Sequence, residues 1–439
     1  MRETTLSWRG IVRLGLVQTA LGAVVVLMTA TLNRVMIVEL ALPALAPGLL
    51  VALFHGVQIL RPVWGHRSDV GGRRTPWIVA GMATLSLGGV LAALGTALAA
   101  ASPAGGLALA ALGFLLVGAG AGAAGTNVLA MLATHVAPER RAGAATLTWV
   151  MMVFGFALTA PLAGRFLDPY SPTRLVVVVA VVALVAVAAA VLAVPGVETS
   201  APVALKRESV GFRASFAKVW AEPEARRFTF FIFVSMLAYS AQELLIEPYA
   251  GLVFGLSPGV TTTLAGFQHG GSLIGMILVA VFASFVGGPR LGDLRAWTVI
   301  GCLASASALS AIAMVGLAGS GPGPLSAAIF ALGLGNGVYA AAAIGAMMGL
   351  AGQGASGREG ARMGLWGAAQ ALALGAGGLI SAGAVDLARA ALGAPLYAYA
   401  ATFAAEGLAF VASAWMAARL GRANVARHAA MRDAAALTT

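Results

Sequence analysis

Long apolar segments separated by short polar or basic stretches dominate the pattern of this chain. Each apolar segment is about 20 residues long, the length of helix that crosses the ~30 Å hydrocarbon layer of a bilayer. Twelve such segments occur, at 13–38, 44–64, 76–100, 106–134, 144–166, 174–195, 227–251, 262–286, 295–318, 323–351, 363–386 and 395–418. The pattern therefore predicts twelve transmembrane helices.

Composition supports a helical membrane protein and excludes several other classes. The 439 residues are 60% hydrophobic and 10% charged, whereas a soluble domain carries about 25% charged residues. The 57 glycines suit close helix packing in lipid, and the single cysteine excludes a disulfide framework. The net charge of +11 reflects arginines in loops rather than a nucleic-acid surface. The expected surroundings are the lipid bilayer, with no nucleic-acid partner.

The distribution of basic residues predicts the orientation of the chain. If the twelve segments alternate in direction, 22 of the 27 lysines and arginines lie on the side that holds both termini. Three lie on the other side, and Arg34 and Arg61 fall inside segments. Basic residues accumulate in cytoplasmic loops. Both termini are therefore expected in the cytoplasm.

The chain repeats itself at an offset of 216 to 220 residues. The glycine-rich strings 114–122 and 330–337 correspond, as do Glu139 and Glu359, Trp149 and Trp366, and Asp168 and Asp386. Internal repeats of this kind are typical of secondary transporters, whose site lies between the repeats. We expect an all-α membrane protein of two pseudo-symmetric six-helix bundles. Its predicted units are an N-terminal bundle at 1–195, a cytoplasmic linker at 196–226, a C-terminal bundle at 227–419 and a cytoplasmic tail at 420–439.

The loop between the second and third segments carries a spaced motif. It fits the pattern G-x-x-x-D-x-x-G-R-[KR] through Gly65, Asp69, Gly72, Arg73 and Arg74. Glycines permit a short turn, and the aspartate can accept hydrogen bonds from an arginine or a helix N-terminus. The motif resembles the signature loop of the major facilitator superfamily. An ordinary basic cytoplasmic loop is the alternative interpretation.

Four longer strings resemble a narrower family. The strings at 31–40, 235–251, 268–271 and 362–370 are similar to those of the PucC/LhaA family of phototrophic bacteria, also called bacteriochlorophyll delivery proteins. The resemblance covers essentially all twelve segments. It implies an assembly factor that binds or delivers bacteriochlorophyll, or a precursor, to light-harvesting antenna polypeptides, or that chaperones their assembly. It also implies a bacterial inner membrane, cytoplasmic or intracytoplasmic, and possible contact with pigment-synthesis enzymes.

Five ionisable residues inside segments form a predicted buried charge network: Arg34, Glu39, Arg61, Glu243 and Glu247. Such residues are costly in a membrane and are functional candidates. Arg34 and Glu39 are five apart and poorly placed for one another on an α-helix, so both arginines are expected to pair with carboxylates of neighbouring helices. Glu243 and Glu247 share a helix face. A structural network, a proton or ligand role, and solvation at the segment end (for Glu39 and Glu247) all remain open.

Two histidines and two glutamines inside segments are the candidates for pigment binding. His55 lies in the second segment near Gln58, and His269 lies in the eighth beside Gln268. A neutral imidazole nitrogen is a good axial ligand for the magnesium of a chlorin. A hydrogen bond between helices is the alternative role for each histidine.

Two further functions stay open at this point. One is proton-coupled transport of another lipophilic molecule, with Glu243 or Glu247 as the proton carrier. The other is a scaffold that recruits antenna helices and transports nothing. The sequence contains no Walker loop, metal-ligand spacing or nucleophile elbow, so catalysis is not expected and no metal site is predicted.

Overall fold

The chain folds into helices at all twelve predicted positions. The computed structural model describes residues 6–61, 64, 68, 73–198, 220–282, 293–353 and 359–419. Within these ranges the helices are α1 Trp8–Val26, α2 Leu45–Val57, α3 Thr75–Ala99, α4 Pro103–His135, α5 Pro138–Leu167, α6 Pro172–Ala193, α7 Pro223–Phe254, α8 Pro258–Val281, α9 Leu294–Leu317, α10 Pro322–Gln353, α11 Glu359–Leu392 and α12 Pro395–Arg419. Two π-helical segments, Leu27–Leu32 and Val35–Glu39, prolong α1, and a 3₁₀ turn, Gln58–Leu60, prolongs α2.

These helices have the dimensions of membrane spans. Eleven are long and apolar enough to cross a bilayer, and α2 with its 3₁₀ turn is a shorter apolar helix over Leu45–Leu60. At a rise of 1.5 Å per residue, a 25-residue helix such as α3 is about 38 Å long. That length exceeds the ~30 Å hydrocarbon layer. The chain is therefore a polytopic helical membrane protein.

Proline fixes where many of the helices begin. Its ring sets a helical φ, and the first turn of a helix does not need the missing N–H. Seven helices begin at a proline, namely Pro103, Pro138, Pro172, Pro223, Pro258, Pro322 and Pro395. Gly255 ends α7 with a φ of 65°, a left-handed conformation that glycine adopts at little cost.

The packing of the first six helices is repeated by the last six. In the first half, α1 packs on α5 and α6, α2 on α4, and α3 on α4 and α6. In the second half, α7 packs on α11 and α12, α8 on α10, and α9 on α10 and α12. The halves meet chiefly where α2 contacts α11 and where α5 contacts α8. The predicted pseudo-symmetric pair of six-helix bundles is confirmed.

The buried apolar residues form two main clusters that follow this division. The first is built from residues of the first half, joined at its edge by Leu244, Ala265 and Ala382. The second is built from residues of the second half, joined by Val153. Each half therefore has a core of its own.

Glycines bring α3 and α4 into backbone contact. Three lie on each helix at seven-residue spacing: Gly81, Gly88 and Gly95 on α3, and Gly106, Gly113 and Gly120 on α4. A Cβ at Gly88 would lie 2.6 Å from the backbone nitrogen of Val117, and one at Gly113 would lie 2.5 Å from that of Ala92. No larger residue fits without moving backbone. We call these six glycines the glycine ladder.

The segment after α6 returns to the start of α3. Glu198 accepts hydrogen bonds from the backbone N–H of Arg74 at 2.7 Å and of Thr75 at 3.0 Å. Partial burial raises the pKa of the Glu198 carboxyl, but these hydrogen bonds outweigh it and hold the pKa below its ordinary value. Glu198 therefore caps the N-terminus of α3.

The predicted signature loop is described only at its end. Gly65, Asp69 and Gly72 lie outside the described residues, as do 199–219 of the linker and the tail at 420–439. Arg73 is exposed, whereas Arg74 is buried. The role of the loop stays a prediction.

Candidate functional site at the contact between the halves

Arg34 and Glu39 form an ion pair, which corrects the expectation that they are poorly placed for one another. Arg34 Nη1 donates to Glu39 Oε1. Residues Val35–Glu39 are π-helical, and in a π-helix positions i and i+5 are hydrogen-bonded neighbours on one face. The α-helical spacing assumed from the sequence was wrong here. Arg34 is thus paired within its own helix.

The π-helical part of α1 also bonds to the second half. Arg34 Nη2 donates to the carbonyl of Leu256 at 2.7 Å, and Asn33 donates to the carbonyl of Leu244 at 2.6 Å. The hydroxyls of Thr31 and Thr262 are 3.0 Å apart. These three side chains of α1 are fully or almost fully buried. The pattern of ionisable residues did not single out Thr31 or Asn33, because both are uncharged.

Glu247 belongs to the same buried cluster. It is 2% exposed, which contradicts solvation at the segment end. Neither of its carboxylate oxygens has a hydrogen-bond partner among the described residues, and Arg34 acts on it electrostatically. Glu39 is 32% exposed, so this carboxylate is partly accessible, in line with solvation at the segment end. One guanidinium thus faces two carboxylates.

The other predicted members of the charge network lie elsewhere. Glu243, one turn before Glu247 on α7, is half-buried and lies one turn after Tyr239 on the same helix. Arg61 is exposed and donates to Gln58 Oε1. Among the described residues it makes no ion pair with a carboxylate of a neighbouring helix. Gln58 also donates to the carbonyl of Phe54 at 3.3 Å. Both Arg61 and Gln58 are therefore bound within α2 and the turns that follow it.

A hollow of about 570 Å³ opens beside the ion pair, at the end of the bundle opposite to the N-terminus. Arg34 and Glu39 line it from α1, and Asp168 and Tyr170 line it from the connection between α5 and α6. Burial raises the pKa of Tyr170 to about 12, with a further rise from Glu39. The hollow is thus polar on the side of the first half.

Two aspartates join the halves at symmetry-related places. Asp168 accepts from the Ser257 hydroxyl at 2.6 Å and from the Gly259 N–H at 3.2 Å, at the start of α8. Asp386 accepts from the backbone N–H of Ala44 at 3.0 Å and of Leu45 at 2.8 Å, at the start of α2. A carboxylate is favourable at a helix N-terminus. We call these two contacts the twin caps.

The sequence held a signal for the twin caps, although it did not reveal their role. Asp168 and Asp386 occupy the same place in the internal repeat, near the ends of the fifth and eleventh segments. Repetition of a charged residue at such a place points to a contact that occurs once in each half. Which helix each aspartate caps depends on how the halves are docked, and no local pattern contains that information.

His55 and His269 lie at similar distances along corresponding helices, one on each contact between the halves. Each is ten or eleven residues from the start of its helix, about 15 Å at 1.5 Å per residue. The Cβ of His55 is 3.5 Å from the position of a Cβ on Gly375 of α11. The ring of His269 is 4.8 Å from that of Phe156 on α5. The two histidines are symmetry-related but do not form one site.

Neither imidazole uses its nitrogens in the described structure. No hydrogen bond or ion pair of His55 or His269 occurs among the described residues, although both rings touch a phenylalanine. The hydrogen bond expected in the alternative interpretation is thus missing there. Gln268, beside His269, is buried in α8. An uncharged imidazole in apolar surroundings can act as a donor, an acceptor or a metal ligand.

Comparison with known proteins gives one family and one fold. The family described as "PUCC protein" matches residues 31–425. The "Bacteriochlorophyll synthase 44.5 kDa chain" of Rhodobacter capsulatus is 52% identical, over 94% of this chain and 95% of that protein. "Protein PucC" of the same species is 32% identical, over 84% and 81%. A solved structure of a proton-dependent oligopeptide transporter superposes with a TM-score of 0.70 at 14% identity, over 94% and 98% of the two chains, and shares the fold of the major facilitator type.

Proposed function

Because this chain belongs to the PucC family, we propose that it binds bacteriochlorophyll, or a precursor, within the membrane and supplies it to light-harvesting antenna polypeptides. It acts as an assembly factor rather than as an enzyme. The pigment is cargo that the chain holds and passes on. The described residues contribute binding groups and an apolar environment.

The observation that carries this proposal is a pair of imidazoles with no described hydrogen bond, one on each contact between the halves. His269 is 8% exposed, and no bond to it is described. Its ring nitrogens are not among the fully buried atoms that lack a partner, so a lone pair stays available to a ligand. A magnesium chlorin is such a ligand, and its apolar periphery suits the phenylalanines that touch both rings.

The residues of the chain have distinct roles in this proposal. His55 and His269 hold the pigment at the two contacts between the halves. Gln58, in the turn that follows α2, and Gln268, directly before His269, lie next to them in sequence. The Arg34, Glu39 and Glu247 cluster and the twin caps hold the halves together at the end of the bundle opposite to the termini. The pigment then enters and leaves laterally, through the membrane.

The related protein named a bacteriochlorophyll synthase chain supports a link with pigment synthesis. We propose that this chain receives pigment from synthesis enzymes and that its partners include antenna polypeptides. The inner membrane of a bacterium, with both termini in the cytoplasm, is the proposed location. The excess of basic residues on the side of the termini supports that orientation.

An absorption spectrum of the chain purified from a phototrophic host in mild detergent tests the proposal. We expect bound bacteriochlorophyll, reduced in amount by His55→Ala and by His269→Ala. His135→Ala is the matched control, because His135 lies at the end of α4 and contacts the carbonyl of Met131. A colourless protein that still captures antenna polypeptides would favour the scaffold instead.

Proton-coupled transport is the second candidate, favoured by the buried carboxylate of Glu247 beside Arg34. Glu247 and Glu243 are the proposed proton carriers. Flux of a lipophilic substrate into vesicles that depends on a pH gradient, and that is lost in Glu247→Gln or Glu243→Gln, would support it. Flux that persists in both variants would exclude these carriers.

A further inference from the structure

Each candidate histidine is followed by a glycine. His55 precedes Gly56 on α2, and His269 precedes Gly270 on α8. These helices are counterparts in the two halves, and each contacts the other half. The His–Gly step therefore occurs twice, at related places in the fold.

Gly56 and Gly270 are not needed for helix packing. Among the residues that the structure describes, a Cβ on either would meet no heavy atom within 4 Å. Other glycines on the same helices do pack closely. A Cβ on Gly48 of α2 would lie 2.8 Å from the Cβ of Ala382, and Gly266 of α8 packs against Pro161. The two glycines beside the histidines are thus the ones with open space.

A glycine in a helix interior is costly unless it has a purpose. It destabilises a helix by about 0.8–1.0 kcal/mol relative to alanine. At Gly48 and Gly266 close packing offsets this cost, but no contact does so at Gly56 or Gly270. Open space beside an imidazole that has no bonding partner leaves room for a ligand that lies close to the helix backbone.

We propose that the two His–Gly steps are twin binding sites for a flat magnesium macrocycle, one on each contact between the halves. The imidazole supplies the axial ligand, and the glycine leaves the adjoining helix surface free for the ring. The chain then holds two pigments, on opposite sides of the bundle. This inference rests on the proposed function and adds its stoichiometry and the residues that control access.

Both sites consist of a histidine followed by a glycine, but the residues around the two histidines differ. His55 faces Gly375 on α11, whereas His269 faces the ring of Phe156 on α5. Arg61 and Gln58 follow His55, and the corresponding turn of α8 contains Ser272, which donates to the carbonyl of Gly333 at 3.0 Å. The two sites are therefore expected to differ in affinity and in absorption maximum.

A titration of the purified full chain with bacteriochlorophyll a in detergent tests this inference. We expect two equivalents to bind to the unaltered chain. Gly56→Val and Gly270→Val should each reduce the bound amount by half, like His55→Ala and His269→Ala, and the double valine variant should bind almost none. Gly323→Val is the control, because Gly323 is also free of neighbours within 4 Å and lies far from either histidine in sequence.

The other outcomes separate this inference from the proposed function. Binding that is lost in the histidine variants but unchanged in both valine variants would overturn the role of the glycines and leave the proposed function standing. A single equivalent on the unaltered chain would overturn the twin sites alone. No binding to the unaltered chain would overturn both proposals. Thermal unfolding that matches the Gly323→Val control would confirm that the valine variants fold.

Discussion

At the scale of single residues, Arg34 is the centre of the buried charge. It is 2% exposed, pairs with Glu39, donates to the Leu256 carbonyl and lies near Glu247. Gly251 makes room for it, since a Cβ there would lie 3.1 Å from Arg34 Nη2. Removing one member of such a cluster leaves another charge buried without compensation.

Arg34→Met is expected to destabilise the chain more than Arg34→Met combined with Glu39→Met. The single change should cost about 2–4 kcal/mol, below the 3–5 kcal/mol of a fully buried pair, because Glu39 is 32% exposed. Denaturant unfolding in detergent measures both variants. A double variant as unstable as the sum of the two single variants would show that the pair is not coupled.

Glu198→Gln is expected to remove a pH-dependent part of the stability. The folded-state pKa of Glu198 is below its ordinary value of about 4.3. Its contribution is therefore fully present at neutral pH and is lost as the pH falls through the folded-state pKa. Thermal unfolding at neutral pH should show a loss of about 1 kcal/mol, typical of a removed cap, and the difference from the unaltered chain should shrink in acid. A difference that is constant with pH would contradict the cap.

At the scale of helices, the sequence predicts positions well and local winding poorly. All twelve predicted segments are helical, because a bilayer leaves a long apolar segment few alternatives to a helix. The π-helical end of α1 was missed, and with it the ion pair of Arg34 and Glu39. The π-helical segment contacts α7 and α8. The residue pattern of a single helix carries no information about contacts with other helices, so it could not predict this segment.

The glycine ladder makes α3 and α4 sensitive to one added side chain. Gly88→Val would place a Cβ 2.6 Å from the backbone nitrogen of Val117, so the helices must separate. We expect a loss of at least about 1–3 kcal/mol, the usual cost of overpacking, in thermal unfolding or in yield of folded protein. Gly323→Val has open space and should behave like the unaltered chain. Equal stability of the two variants would contradict this packing.

At the scale of the whole molecule, the internal repeat predicted the two bundles but not how they are joined. The contacts of α2 with α11 and of α5 with α8 follow from docking two folded halves. The candidate site showed the same limit. The sequence singled out His55 and His269 as candidates, but their separate placement on two contacts required the arrangement of the halves.

The twin caps are expected to contribute equally to holding the halves together. Asp168→Ala and Asp386→Ala should each raise the population with separated halves about fivefold, since a cap is worth about 1 kcal/mol. Spin labels on Ala101→Cys and Gly321→Cys, in corresponding loops of the two halves, measure this separation. Cys302 is fully buried, so the introduced cysteines carry the labels. Unchanged distances in both variants would show that the caps do not hold the contact.

The twin caps are consistent with an origin of the chain from two copies of one six-helix unit. Suppose that a six-helix unit carries one aspartate that caps a helix of its partner. When two such units associate around a two-fold axis, the same contact forms twice. This is the geometry of an isologous dimer, in which the same surface serves both partners. Fusing the two copies into one chain frees each contact to change alone. The different neighbours of His55 and His269 are the kind of divergence that a homodimer cannot acquire.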